Sequence, residues 1–222
     1  RERMRLRGHE ADSSRYRALA ASHDGRFVAL LTGESGVWPQ QQNRLAVWDT
    51  TSGQRLYTLE EAATGYVTSM AFAPGRPVLA TGSRDHQVRL WDARSGALQS
   101  VLGVHHGEVT RDADAQRLHR RKNSFFESKS SLGAGVSRVL YAADGRTLVS
   151  ASAEFGTVRL WDIGEAESGP TQIEPPDRWW LATFSPDAKQ LAAGDRQGAV
   201  AVWDVASGAL LARLDAAPTT GL

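Results

Sequence analysis

A Trp-Asp pair recurs four times in this chain, at Trp48-Asp49, Trp91-Asp92, Trp161-Asp162 and Trp203-Asp204. The intervals are 43, 70 and 42 residues. Two match a period of about 40 to 45, and the third is one such period plus an insertion. Each pair sits in a longer similarity: "LAVWDTTSGQRLYTLE", "VRLWDARSGALQSVLG", "VRLWDIGEAESG" and "VAVWDVASGALLARLD". Length alone would allow one large domain or an array of small units in 222 residues, and the repeat selects the array.

A second pattern lies upstream of each pair: "LAASHDGRFVALLTG", "MAFAPGRPVLATGS", "VLYAADGRTLVSAS" and "ATFSPDAKQLAAGD". Each reads as strand, turn, strand, because short apolar or alternating runs are bounded by Gly, Pro or Asp. With the Trp-Asp strand and the segment that follows "SG", every period holds four short strands. On these residues the chain resembles the WD40-repeat family over nearly its whole length. The resemblance implies an all-β fold, a WD40 β-propeller of four four-stranded antiparallel blades, partial or open unless further chain completes it.

The repeats divide the sequence into residues 1–8, the outer strand of an incomplete preceding blade; 9–60, 61–103, 104–174 and 175–216, repeats 1 to 4; and a tail, 217–222. Repeat 3 carries an insertion at about 105–135. In the family the outermost strand d precedes a Gly-His loop, so "RMRLR" before Gly8-His9 reads as a strand d whose earlier partners lie upstream. The expectation is a fragment of a longer polypeptide that supplies the remaining blades; the alternatives are two such chains closing one ring or a tight four-bladed ring. The alternating arginines of that strand d then face solvent and discourage edge pairing. The Ala- and Arg-rich character is similar to bacterial WD40 arrays, which stand C-terminal in larger effector or signalling proteins.

The resemblance also implies structural residues: Trp48, Trp91, Trp161 and Trp203, and a polar tetrad that joins such a Trp to a hydroxyl, a Gly-His histidine and a b–c-turn Asp. No repeat is complete. The first keeps His9 without the Asp; the second has Asp85, with Thr81 or Ser83 as hydroxyl, but no histidine; the third and fourth carry Glu154-Phe155 and Gln197 at the turn. These blades are therefore expected to lean on apolar packing more than on the network.

Blades place their d–a and b–c loops on one face of the disc, and both long loops, "GESGVWPQQQNR" with Trp38 and the 105–135 insertion, belong to that set. Aligning the starts of the a strands puts Arg15, Tyr66, Gly135 and Arg178 at equivalent rim positions; Trp179 fills an inward position like Val67 and Val136, and Trp180 is the exposed anchor. Arg84 and Arg196 come from b–c turns. Aromatic and arginine side chains on a rigid rim make a protein-binding set.

The insertion adds Arg120, Arg121, Phe125 and Phe126, within a basic cluster that includes Arg117 and Lys122. Against the plain reading of a solvated loop stand a peptide clamp anchored by the two phenylalanines, a nucleic-acid patch, and a phosphorylation site at Ser124. His105, His106, Asp112, Asp114 and His119 carry no ligand spacing that would fix a metal geometry.

Composition and motifs bound the function. A formal net charge of +1 gives no overall pull toward nucleic acid or membrane, and the lack of cysteine removes disulfides, thiolate metal sites and cysteine nucleophiles. No apolar run approaches the ~20 residues that span a bilayer, and the chain reads as cytoplasmic. GxxxxGK[ST], HExxH, GxSxG and GxGxxG are all missing from the sequence, so no catalytic residue, metal or cofactor is expected. The expected function is a non-catalytic protein-interaction, sensor or scaffold module with a protein partner on the loop-rich face. The alternative is a nucleic-acid-associated subunit that uses the basic insertion.

Overall fold

The structure, a computed structural model, describes residues 14–34, 43–60, 66–104, 135–152, 157–163, 171–173, 179–187, 189–195 and 198–215. Of the candidate residues, Trp38, Arg178, Arg196, Arg120, Arg121, Phe125, Phe126 and His9 lie outside that set. Only the backbone is described for Arg15 and Trp180.

The described residues contain no helix and form four antiparallel sheets of four strands, each built from four consecutive segments. Blade 1 comprises β1 (Ser14–Ala21), β2 (Phe27–Glu34), β3 (Asn43–Asp49) and β4 (Gln54–Glu60). Blade 2 comprises β5 (Val67–Phe72), β6 (Val78–Ser83), β7 (Gln87–Asp92) and β8 (Leu98–Val104). Blade 3 runs through β9 (Arg138–Tyr141), β10 (Thr147–Ser152), β11 (Thr157–Asp162) and β12 (Thr171–Ile173). Blade 4 runs through β13 (Trp179–Phe184), β14 (Gln190–Asp195), β15 (Val200–Asp204) and β16 (Leu210–Leu214). In chain order the strands of a blade are a, b, c and d. Strands a of blades 1 to 3, β1, β5 and β9, pack side by side.

The cores lie between blades. Leu31 and Val47 of blade 1 meet Met70, Leu79 and Trp91 of blade 2. Val78, Ala80, Val88 and Leu90, on the other face of blade 2, meet Val136, Val139, Leu148 and Trp161 of blade 3. Val149 and Leu160 of blade 3 meet Leu191, Ala193 and Trp203 of blade 4. Alternate residues of one strand thus serve opposite neighbours, as the period of two requires. The Trp of the repeated pair packs onto the blade before it in blades 2, 3 and 4.

The aspartate of the pair has a separate task. Asp49 Oδ1 accepts the N–H groups of Thr51 (2.7 Å) and Ser52 (3.2 Å), and Gly53, at φ +71°, returns its N–H to the Asp49 carbonyl. Asp92 with Ser95 and Gly96, and Asp204 with Ser207 and Gly208, repeat the arrangement. These backbone donors hold the Asp49 carboxyl below the usual carboxylate range. "WDxxSG" therefore encodes one core anchor and one c–d turn.

The incomplete tetrads resolve as follows. Trp91 Nε1 donates to Thr81 Oγ1 at 2.9 Å, and Trp161 Nε1 to Ser150 Oγ at 2.7 Å. The register puts Leu30 and Ala193 at the corresponding places in blades 1 and 4, where no hydroxyl is available. Ser83, the other candidate hydroxyl, donates to Asp85 instead.

Candidate functional site

The face that carries the d–a and b–c connections is organised by a recurring irregularity at the start of strand a. In blade 1, Tyr16 pairs with Thr32 and Ala18 with Leu31, which leaves Arg17 as an extra residue. The same shift falls at Thr68 in blade 2 and at Trp180 in blade 4. A bulge of this kind interrupts the ladder and re-aims the side chain it carries. In blade 2 the bulge is used both within the blade and across to blade 3: Thr68 Oγ1 donates to the carbonyl of Gly82 at 2.9 Å and also to that of Val136. In blade 1 it turns Arg17 toward the neighbouring blade.

Arg17 meets Tyr66 there. The Arg17 guanidinium carbon lies 5.4 Å from the centre of the Tyr66 ring, and that of Arg84, from the blade 2 b–c turn, lies 4.2 Å from it. Both distances fall within the reach of attraction between a cation and the negative face of an aromatic ring. Arg84 N–H also donates to the Tyr66 carbonyl at 3.0 Å. Tyr66 itself sits at φ +62°, the left-handed region, where blade 3 has Gly135 at φ +94°. A glycine is needed in blade 3, since a Cβ at Gly135 would lie 2.5 Å from the Arg84 backbone. Blade 2 accepts a tyrosine there at a conformational cost of about 1 to 3 kcal/mol.

The tyrosine is only 8% exposed. At its rim position it is a buried ring that contacts two arginines. Arg84 beside it is half-buried. Arg17 was missed, although it shares an alignment column with Thr68 and Trp180 two residues beyond Arg15.

Asp85 forms a second polar cluster beside Arg84. Its carboxylate accepts from Ser83 Oγ, from the Gln87 N–H (3.1 Å) and from both terminal nitrogens of Arg89. Burial raises its carboxyl, but the hydrogen bonds from Arg89, Ser83 and Gln87 outweigh it and hold Asp85 below the ordinary carboxylate value. An arginine on strand c thus takes the Asp that a histidine would hold in the tetrad. The cluster braces the b–c turn.

The family described as "WD domain, G-beta repeat" matches residues 53–92, from the end of the first c–d turn to the second Trp-Asp pair. Residues 53–92 are thus a WD40 repeat. The chain is 29% identical over 168 residues to "Small ribosomal subunit protein RACK1z" of Arabidopsis thaliana, covering 73% of this chain and 42% of that protein. It is 24% identical to "Eukaryotic translation initiation factor 3 subunit I" of Coccidioides immitis (strain RS), covering 95% of this chain and 55% of the relative. A chain in the solved structure titled "Crystal Structure of Mitotic Checkpoint Complex" superposes with a TM-score of 0.63 at 19% identity, over 93% of this chain and 52% of that one. The likeness to the solved chain shows the fold, and the chain spans about half the length of each of these three proteins.

Proposed function

We propose that this chain is a non-catalytic protein-interaction module that presents its d–a/b–c face to a protein partner. The observation that carries the reading is the Arg17–Tyr66–Arg84 cluster, in which three elements from two blades and one strained tyrosine hold two guanidinium groups at the rim. Arginines held by packing lose little side-chain entropy on binding, which is what an energetic centre of an interface needs. The similar proteins point the same way, since their names or titles place them in a ribosomal subunit, an initiation factor with several subunits, and a checkpoint complex.

The test is affinity capture with the whole chain as bait, comparing wild type with Arg17→Ala/Arg84→Ala. Each cation–ring contact is worth about 0.5 to 1 kcal/mol at an exposed site, so the double variant should stay folded. A partner retained by wild type should be lost from the variant. Identical capture by both, with unchanged melting, would sink the reading.

A further inference from the structure

The opposite face, formed by the a–b and c–d turns, carries a cleft of about 130 Å³ between blades 1 and 2. Arg26, Arg76 and Arg94 line it together with His23, and Asp24 is the one carboxylate in its wall. The repeat does not demand this grouping. In blades 1 and 3 the a–b turn ends in Asp-Gly-Arg, with glycine at φ +70° and +66° and the aspartate accepting the arginine N–H at 3.0 and 2.8 Å. Blade 2 has Pro74-Gly75-Arg76-Pro77 instead: the left-handed residue moves one place earlier, to Gly75 at φ +68°. Pro77 has no N–H to be capped, so the aspartate is dispensable and the turn brings an arginine without a carboxylate. Arg94 likewise replaces Thr51 and Ala206 of the other c–d turns. Two departures from the repeat and one regular arginine converge on a single cleft.

The neighbouring carboxylates Asp24, Asp49 and Asp92 keep their charge, but none of them forms an ion pair with Arg76 or Arg94. Asp24 is committed to its own turn, accepting from Ser22 Oγ at 2.6 Å and from Arg26 N–H. Asp92, next to Arg94 in sequence, is engaged by the Arg94 and Ser95 N–H groups and the Ser95 hydroxyl. Arg26 reaches Asp49 at 3.4 Å with half its side chain exposed, a weak surface pair. Among the described residues no carboxylate lies within 4 Å of the Arg76 or Arg94 guanidinium. Three planar forks around one small cleft match the oxygens of a phosphate or carboxylate, which arginine binds with two parallel hydrogen bonds.

We propose that this cleft binds the oxyanion side chain, phosphorylated or carboxylate, of an acidic peptide segment in a protein partner. A peptide fits better than a nucleic acid. The chain has a net charge of only +1, and the aromatic ring in the wall, Phe27, is 3% exposed and covered by Arg26 at 5.3 Å, so no base can stack on it. This site is separate from the rim of the other face and does not depend on it.

The experiment titrates the isotopically labelled whole chain with an acidic peptide that contains one phosphoserine, with its unphosphorylated form, and with a single-stranded oligonucleotide, following the amide resonances. The expected result is a saturable shift of the Gly75, Arg76 and Arg94 amides with at least one peptide, weakened about tenfold or more in Arg76→Ala/Arg94→Ala and unchanged in Arg17→Ala/Arg84→Ala. Preference for the phosphorylated form assigns the cleft to phosphate, and equal binding assigns it to carboxylate. Both support the proposal. It is overturned if neither peptide shifts these amides, if Arg76→Ala/Arg94→Ala binds like wild type with unchanged melting, or if the oligonucleotide binds more tightly than either peptide and loses affinity steeply between about 50 and 200 mM salt.

Discussion

Blade 2 and blade 4 carry the same strand b in sequence terms, Val78–Ser83 and Gln190–Asp195, yet every residue of the first is buried while the second alternates. Blade 2 lies between blades 1 and 3, and its two faces feed two cores. Blade 4 is covered by blade 3 through Leu191, Ala193 and Trp203, whereas Ala192, Val200 and Val202 of its other face are only half-buried. Its strand d is exposed throughout, with Leu214 at 63%. Among the described residues, burial of a blade thus follows how many neighbouring blades pack on it, the nearest-neighbour pattern of stacked repeats.

The largest effect that tests this contrast comes from the tryptophans. Trp91→Ala should cost about 3 to 5 kcal/mol, because it empties the core between blades 1 and 2 and strands the Thr81 hydroxyl. Trp203→Ala should cost a similar amount locally but release blade 4 alone, so hydrogen exchange should accelerate in β13–β16 while β5–β7 stay protected. Uniform acceleration in both variants would break the comparison, since the four blades would then unfold as one unit.

A smaller pair of changes probes the a–b turns of blades 1 and 3. A Cβ at Gly145 would lie 2.2 Å from the Pro74 carbonyl oxygen of the adjacent blade, while one at Gly25 meets nothing within 4 Å. Both glycines are left-handed, at φ +66° and +70°. Gly25→Ala should cost about 1 kcal/mol from backbone conformation alone, and Gly145→Ala at least about 2 kcal/mol, measured by urea denaturation. Equal losses would mean that the blade 2–blade 3 contact at this turn contributes nothing.

The smallest effect is electrostatic. Asp85 is held below its unfolded value, so its contribution is complete above the ordinary carboxylate range and fades as pH falls through the lowered value. Solvent reaches a third of its side chain, which limits the pair with Arg89 to about 0.5 to 1 kcal/mol at neutral pH. Asp85→Asn should remove that increment and flatten the acid limb of the stability curve. An unchanged acid limb would show that the hydrogen-bonded cluster around Asp85 adds nothing to the stability of blade 2.

Much of the architecture was legible in the residues. Four Trp-Asp pairs in phase with four strand–turn–strand segments specify four-stranded units, because Trp, the turn-forming Asp and the left-handed Gly each meet a local requirement that recurs with the period. The incompleteness of the tetrads was legible only at the turns and the Gly-His loop; that Leu30 and Ala193 stand where a hydroxyl would be needed came from the strand register.

The rim was legible only in part. The alignment brought Tyr66 and Arg84 to one face, but the burial of Tyr66 depends on Arg17 of another blade, 49 positions earlier, and on a bulge that no alternation pattern announces. The sequence by itself determined the units and their short turns, since those follow from contacts within a repeat. Only the tertiary structure decided which arginines meet over Tyr66 and which converge on the cleft of blades 1 and 2, because packing between blades joins side chains whose separation in the chain is a whole period.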